Sequence, residues 1–188
     1  MSCKQGPSKR CRNDLKAPAL VDTYGAARLY VLDTSANQIF RYAPTVEGYG
    51  GAPEPYFASG TKVDLSGARD MTIDGEIWLL YPDHIGRYQK GQPVNFELKD
   101  LDQPFSSPSA LFTGPDDGAR PIHHLYIADT GNGRIVKLTK DGKLVRQFRP
   151  QEGKVFNELR DLVVDEVGGR VYFLSGKGLY LSDIPQGE

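Results

Sequence analysis

Four apolar-aromatic runs recur along the chain at nearly constant spacing: Leu29-Tyr-Val-Leu-Asp33, Ile77-Trp-Leu-Leu-Tyr81, Leu125-Tyr-Ile-Ala-Asp129 and Val171-Tyr-Phe-Leu-Ser175. Their first residues are 48, 48 and 46 positions apart. In each run an aromatic stands second and an apolar residue fourth, and the β-branched and aromatic content reads as strand. A period of this length marks a chain built from one supersecondary unit repeated, each copy too small to bury its apolar surface alone.

Each run has neighbours of the same kind. Before it come Ala19-Leu-Val-Asp22, Asp70-Met-Thr-Ile-Asp74, Ser109-Ala-Leu-Phe-Thr113 and Asp161-Leu-Val-Val-Asp165; after a short polar loop come Ile39-Phe-Arg-Tyr42, Ile85-Gly-Arg-Tyr88, Ile135-Val-Lys-Leu138 and Leu179-Tyr-Leu-Ser182. The first three units add a fourth strand, expected around Pro55 to Ala58, Val94 to Leu98 and Leu144 to Phe148, the last reached through the hairpin signal Asp141-Gly142. Four antiparallel strands in a repeated unit of this size predict an all-β β-propeller, with three full four-stranded blades and a partial fourth. The blades are expected over about 18–60, 66–100, 107–149 and 159–184, within a propeller arc covering 18–184.

Composition narrows the classes further. With 188 residues, 25% charged and no long apolar run, the sequence predicts no transmembrane span. The net charge of −1 is uneven: residues 1–16 hold Lys4, Lys9, Arg10, Arg12 and Lys16 against Asp14, which leaves the rest of the chain at −5. An acidic body argues against nucleic acid as the partner, and residues 1–17 read as a basic, disordered leader. Both cysteines, Cys3 and Cys11, fall in that leader, where a bridge between them would stabilise little of the fold. The leader does not run into the apolar stretch of a signal peptide.

The segment Leu125-Tyr-Ile-Ala-Asp-Thr-Gly-Asn-Gly-Arg-Ile-Val-Lys-Leu138 resembles the core of an NHL repeat, keeping its Asp, Asn, Arg and Ile at Asp129, Asn132, Arg134 and Ile135. Leu29-Tyr-Val-Leu-Asp-Thr-Ser-Ala-Asn-Gln-Ile-Phe-Arg-Tyr42 follows it with one extra loop residue and Gln38 in place of the Arg; Tyr81-Pro-Asp-His-Ile85 and Ser175-Gly-Lys-Gly178 depart further. The resemblance implies a ring of about six blades, more than this chain supplies. A tight four-bladed ring, a homodimer of arcs, or a fragment of a longer chain would each resolve the mismatch, and an arc that is truncated or assembles is the expectation. The whole also resembles propeller modules of large bacterial surface or signalling proteins, which implies a parent chain at the bacterial cell surface.

In a propeller the ligand face is formed by the loops that lead into the innermost strands and those joining the second and third strands. Residues expected there are Arg69, Asp70, Arg160 and Asp161, with His84, Asn132 and Arg134. Arg69-Asp70-Met-Thr-Ile-Asp74 and Arg160-Asp161-Leu-Val-Val-Asp165 are one phrase in two alternate blades, so their Arg-Asp pairs should project alike. They read either as a charged ring for an acidic or polyhydroxylated ligand, or as ion pairs between blades. Asp129, Asn132, Gly133 and Arg134 carry a second, structural reading as turn chemistry.

No catalytic residue, metal ligand or cofactor is assigned. His123 and His124, adjacent on an extended chain, point to opposite sides and cannot easily share a metal. The sequence holds no G-x-S-x-G elbow or phosphate-binding loop. The run Arg134, Lys137, Lys140, Lys143, Arg146 and Arg149 reads as a solvated outer blade edge protected by its charge. The expected function is a binding module for a protein or small polar ligand, with a homodimer closing the propeller as one route to completion. The alternative is a metal-dependent hydrolase or lyase with its metal in the channel, using His84, Asn132 and Asp161.

Overall fold

Each of the four expected units forms its own antiparallel sheet, with the strands in sequence order across it. The computed structural model describes residues 20–25 and 27–184; the leader, Cys3 and Cys11 lie outside the described residues. The first sheet holds β1 (Leu20–Tyr24), β2 (Arg28–Asp33), β3 (Gln38–Tyr42) and β4 (Glu54–Pro55). The second holds β5 (Asp70–Ile73), β6 (Ile77–Leu80), β7 (Ile85–Gln89) and β8 (Gln92–Val94). The third holds β9 (Pro108–Phe112), β10 (His124–Asp129), β11 (Arg134–Thr139) and β12 (Leu144–Phe148). The fourth has three strands, β13 (Leu159–Asp165), β14 (Arg170–Ser175) and β15 (Gly178–Asp183). These are the blades of a β-propeller, three with four strands and one with three, as the repeat predicts. The only helices among the described residues are two short 3-10 turns, so none there is long and apolar enough to cross a membrane.

The outer strands of the first two blades depart from expectation for local reasons. In the first blade the ladder partners of β3 are Glu54 and Pro55, and the Tyr56 N–H donates to the Ile39 carbonyl at 2.7 Å. Proline supplies no ladder N–H, and beyond Pro55 the Phe57 backbone is held by a side chain, its N–H donating to Gln38 Oε1 at 2.9 Å and its carbonyl accepting from Gln38 Nε2 at 3.0 Å. In the second blade Lys90 and Gly91 both take positive φ, 50° and 76°. That two-residue turn pairs Gln89 with Gln92, and the ladder runs as far as Val94 opposite Arg87. Phe96 and Leu98, expected in the strand, instead pack against the core, Phe96 meeting the Trp78 ring edge-on at 5.3 Å.

The chain divides into two compact units, Met1–Ser66 with the first sheet and Gly67–Glu188 with the other three. Within the second unit each sheet is apolar on both faces, and the core lies between sheets. Trp78, Leu80 and Ile85 on one side of the second sheet pack with Leu111, Ile127 and Val136 of the third. Ala110, Tyr126, Ala128 and Ile135 on the other side of the third sheet pack with Leu162, Val164 and Phe173 of the fourth. Strand alternation makes this double use possible, since successive side chains of one strand serve opposite neighbours.

The turn signalled by Asp141-Gly142 brings the chain into close contact with residue 97. Gly142 has φ +86°, and a Cβ there would run into the Glu97 carbonyl oxygen. Gly118 has the same φ with nothing within 4 Å. Gly142→Ala should therefore lower stability in urea denaturation by at least about 1 kcal/mol more than Gly118→Ala, which carries the backbone strain alone. Equal losses would mean that the outer hairpin gives way to the methyl group without cost.

Candidate functional site

The strand order fixes which loops share an end of each blade. Loops leading into first strands and loops joining second to third strands lie at one end; turns joining first to second and third to fourth strands lie at the other. All seven residues expected on a ligand face fall at the first end, within the second unit.

Asn132 and Arg134 are brought together by Asp129. Arg134 follows Gly133, whose φ of 59° closes the 3-10 turn Thr130–Asn132. Its Nε donates to Asp129 Oδ2 at 2.6 Å, and Nη1 donates to Asp102 Oδ1 at 2.6 Å and Gln147 Oε1 at 2.8 Å. Nη2 donates to the Gln103 carbonyl at 2.8 Å. Asn132 Nδ2 donates to Asp129 Oδ2 and to the Pro104 carbonyl, and Asp129 Oδ1 accepts the Ser106 N–H at 2.7 Å. Arg134 and Asp129 are both 0% exposed. The group is a buried clasp holding residues 102–106 onto the third blade, and it offers a ligand no free guanidinium. Burial raises the Asp102 carboxyl, but the bonds from Arg134 and Gln147 lower it more and leave it below the usual carboxylate range. In the first blade Gln38 clasps Phe57 from the same strand position, so one amide does there what the guanidinium does here.

The outer basic edge is likewise less solvated than expected. Arg134 is buried, Lys140 Nζ lies 2.7 Å from both Asp74 Oδ2 and Asp116 Oδ1, and Lys137 sits over the Tyr126 ring. Salt bridges and ring contacts draw these cations inward.

The two Arg-Asp phrases occupy equivalent positions, Asp70 opposite Leu80 and Asp161 opposite Leu174. Their surroundings differ. Arg69 Nη1 donates to the Pro108 carbonyl at 3.0 Å, and Asp70 Oδ2 accepts the Leu111 N–H at 2.7 Å, so both reach the backbone of the next blade. Thr72 Oγ1 adds a bond to the Thr113 carbonyl at 3.3 Å. The same latch, in reduced form, joins the third blade to the fourth: Ser109, at the position of Arg69, donates to the Leu159 carbonyl at 2.8 Å. Arg160 and Asp161 are exposed. Asp161 Oδ1 accepts its neighbour's Leu162 N–H at 2.8 Å, as Asp70 Oδ1 does from Met71, and its other oxygen has no partner among the described residues.

His84 stands apart, exposed, bonded to Asp83 at 2.7 Å and stacked on Tyr81 at 4.4 Å. His84, Asn132 and Asp161, the trio considered for a metal, share no hydrogen bond, and among the described residues no three His, Cys, Asp or Glu side chains converge on one point.

Two features escaped the sequence. At the opposite end, Glu166 of the fourth blade gathers the His123 N–H (2.9 Å), the His124 ring (2.8 Å) and the Tyr126 hydroxyl (2.8 Å) of the third. Burial raises the Glu166 carboxyl, but these donors together hold it below its ordinary value, while burial and Glu166 push the Tyr126 hydroxyl far up. The histidines serve one carboxylate, one through its backbone and one through its ring. The second feature is an open cavity of about 580 Å³ between the third and fourth blades, lined by Phe148, Val155, Phe156 and Phe173 together with Arg146, Arg149 and Asp183. Its walls come from five separate segments, and only the Phe residues carry a hint of it in sequence.

No protein-family model matches the chain, and no curated protein matches it in sequence. Its backbone is similar to solved structures. Virginiamycin B lyase from Staphylococcus aureus is 18% identical over 92% of this chain and 57% of its own, with a TM-score of 0.52. A gluconolactonase from Xanthomonas campestris is 19% identical over 87% and 57%, also at 0.52. The extracellular domain of a hybrid two-component system from Bacteroides thetaiotaomicron is 16% identical over 87% and 24%, at 0.54. The shared feature is the β-propeller fold. The chain spans a little over half the length of the first two structures.

Two measurements follow. Asp70→Ala should cost about 1–3 kcal/mol, because the buried Leu111 N–H loses its acceptor. Asp161→Ala, which gives up the same local bond and no other, should stay within about 0.5 kcal/mol in dilute protein; equal losses by urea denaturation would show that Asp70 does not join the blades. Glu166 has its folded pKa depressed below the ordinary 4.5, so it adds stability above that value and loses it as pH falls through the lowered one. The stability gap between the native chain and Glu166→Gln should therefore narrow as the solution is acidified below about pH 4.5. A constant gap would sink this assignment.

Proposed function

We propose that the chain is an NHL-like propeller binding module, with no chemistry of its own, whose small-ligand site is the cavity between the third and fourth blades. The observation that carries this reading is the makeup of that cavity. Its volume, about 580 Å³, lies in the range of about 300–1,000 Å³ that suits a small molecule. Its lining joins an apolar group, with Phe156 meeting Phe173 edge-on at 5.1 Å, to two cations, Arg146 and Arg149, and one acid, Asp183. Arg149 Nη1 is already held by the Asn132 carbonyl at 2.7 Å, which aims the guanidinium at little entropic cost. The ligand class that fits is an amphipathic anion with a flat apolar body and a carboxylate or sulfonate head.

The probe for this site is 8-anilinonaphthalene-1-sulfonate, followed by fluorescence. About one saturable equivalent should bind. Phe148→Asp and Arg149→Gln should each weaken binding about tenfold or more, the latter through loss of a charge-assisted bond. Leu179→Asp, on the exposed face of the fourth blade, should leave it unchanged. Binding that does not saturate, or that follows Leu179 and ignores Phe148, would overturn the proposal.

A further inference from the structure

We propose that the chain associates head to tail with a second copy of itself, the uncovered face of its fourth sheet packing on β1 of that copy. This association rests on the repeat and is independent of the ligand cavity. Each inner pair of blades uses the same surface. In the second blade, Thr72 and Trp78 form one cross-strand row, Asp70, Leu80 and Ile85 the next, and Trp78, Leu80 and Ile85 are at most 2% exposed beneath the third blade. The ladder places Val163, Tyr172 and Leu181 in the first of these rows in the fourth blade, and Asp161, Leu174 and Leu179 in the second. There Val163 is 50% exposed, Leu174 37%, Leu179 76% and Leu181 56%. Several large apolar side chains on one face of one sheet form a contact surface, unlike apolar residues scattered singly.

The complementary surface is also present on this chain. In the third blade the residue that receives the Asp70 latch is Leu111, which faces Ile127 across the sheet and is 4% exposed. In the first blade the residue at that register is Val21, which faces Val31 and is 55% exposed. Leu20 pairs with Leu32 as Ala110 pairs with Ala128, so Val21 holds in the first sheet the ladder position that Leu111 holds in the third. The chain thus carries one exposed face with an unfilled carboxylate acceptor, Asp161, and one exposed strand with the matching donor position. Two copies joined through one contact still leave one face of each kind, and a second such contact satisfies both. A head-to-tail dimer is the expected product.

The test is solution mass by size exclusion with light scattering, on the full chain over a wide concentration range. A dimer is expected. Val163→Arg and Val21→Arg, both at exposed positions and therefore compatible with the fold, should each lower the apparent association constant by at least about tenfold; circular dichroism checks that the strands persist. An equimolar mixture of the two variants should regain a species of twice the monomer mass, because each brings the face the other lacks. A monomer at every concentration overturns the proposal. So does an oligomer that withstands Val163→Arg, or a pair of variants that fails to complement, since a face pairing with its own copy would leave Val21→Arg without effect.

Discussion

A blade with apolar side chains on both faces cannot stand alone, and most of what this structure does follows from that constraint. Strand alternation gives each sheet two sets of inward positions, one for the blade before and one for the blade after. Between the second, third and fourth sheets these sets meet as two continuous cores, one around Trp78 and Leu125, the other around Tyr126 and Phe173. Stability is then close to a sum of neighbour contacts. The second core contains Ala110 and Ala128 where the first has Leu111 and Ile127, and the aromatic Phe156 and Phe173 supply the volume those alanines lack.

Apolar faces set which blades touch but leave their rotation loosely defined, and polar groups fix it. Three devices share this work in the third blade: the latch to backbone groups at one end, the buried Arg134 clasp beside it, and the Glu166 cluster at the other end. The clasp shows the stakes of a buried charge. Asp129 and Arg134 give up all water, and only near-complete pairing offsets that desolvation. Asp102 and Gln147, more exposed, complete the set of acceptors. Where the first blade has Gln38, a neutral amide makes the corresponding clasp without that desolvation cost.

The repeat, the strand identities and the three-stranded fourth blade were legible because period-two apolar patterning records burial directly. The outer strands were less so: Phe96 and Leu98 look like strand residues, yet the Lys90-Gly91 turn had already set the register, leaving both free to fill the core. The equivalence of Arg69-Asp70 and Arg160-Asp161 could be read, but not their targets, since a backbone N–H or carbonyl leaves no residue signature. Arg134 could be placed in its turn but not known to be buried, because the acceptors that make burial tolerable come from residues 102, 103 and 147. Glu166 lies 42 residues from His124, beyond any local pattern.

Position in the array, more than residue type, therefore decides what a side chain does here. Asp70 and Asp161 sit at the same register, cap the same local N–H, and differ in that Asp70 also accepts the Leu111 N–H of the next sheet. Covered, the aspartate completes a main-chain hydrogen bond between sheets; uncovered, its second oxygen faces solvent beside Val163 and Leu179. A repeat protein gains contact surface in this way without evolving new chemistry, because any face built to hold the next repeat is already complementary in shape and hydrogen bonding to a strand like its own. The same logic explains why the exposed apolar residues gather on the last blade while the inner ones show almost none, Val145 excepted. It also ties recognition to folding: a substitution that weakens the latch between the second and third blades perturbs stability, while the matching substitution on the fourth acts only on what binds there.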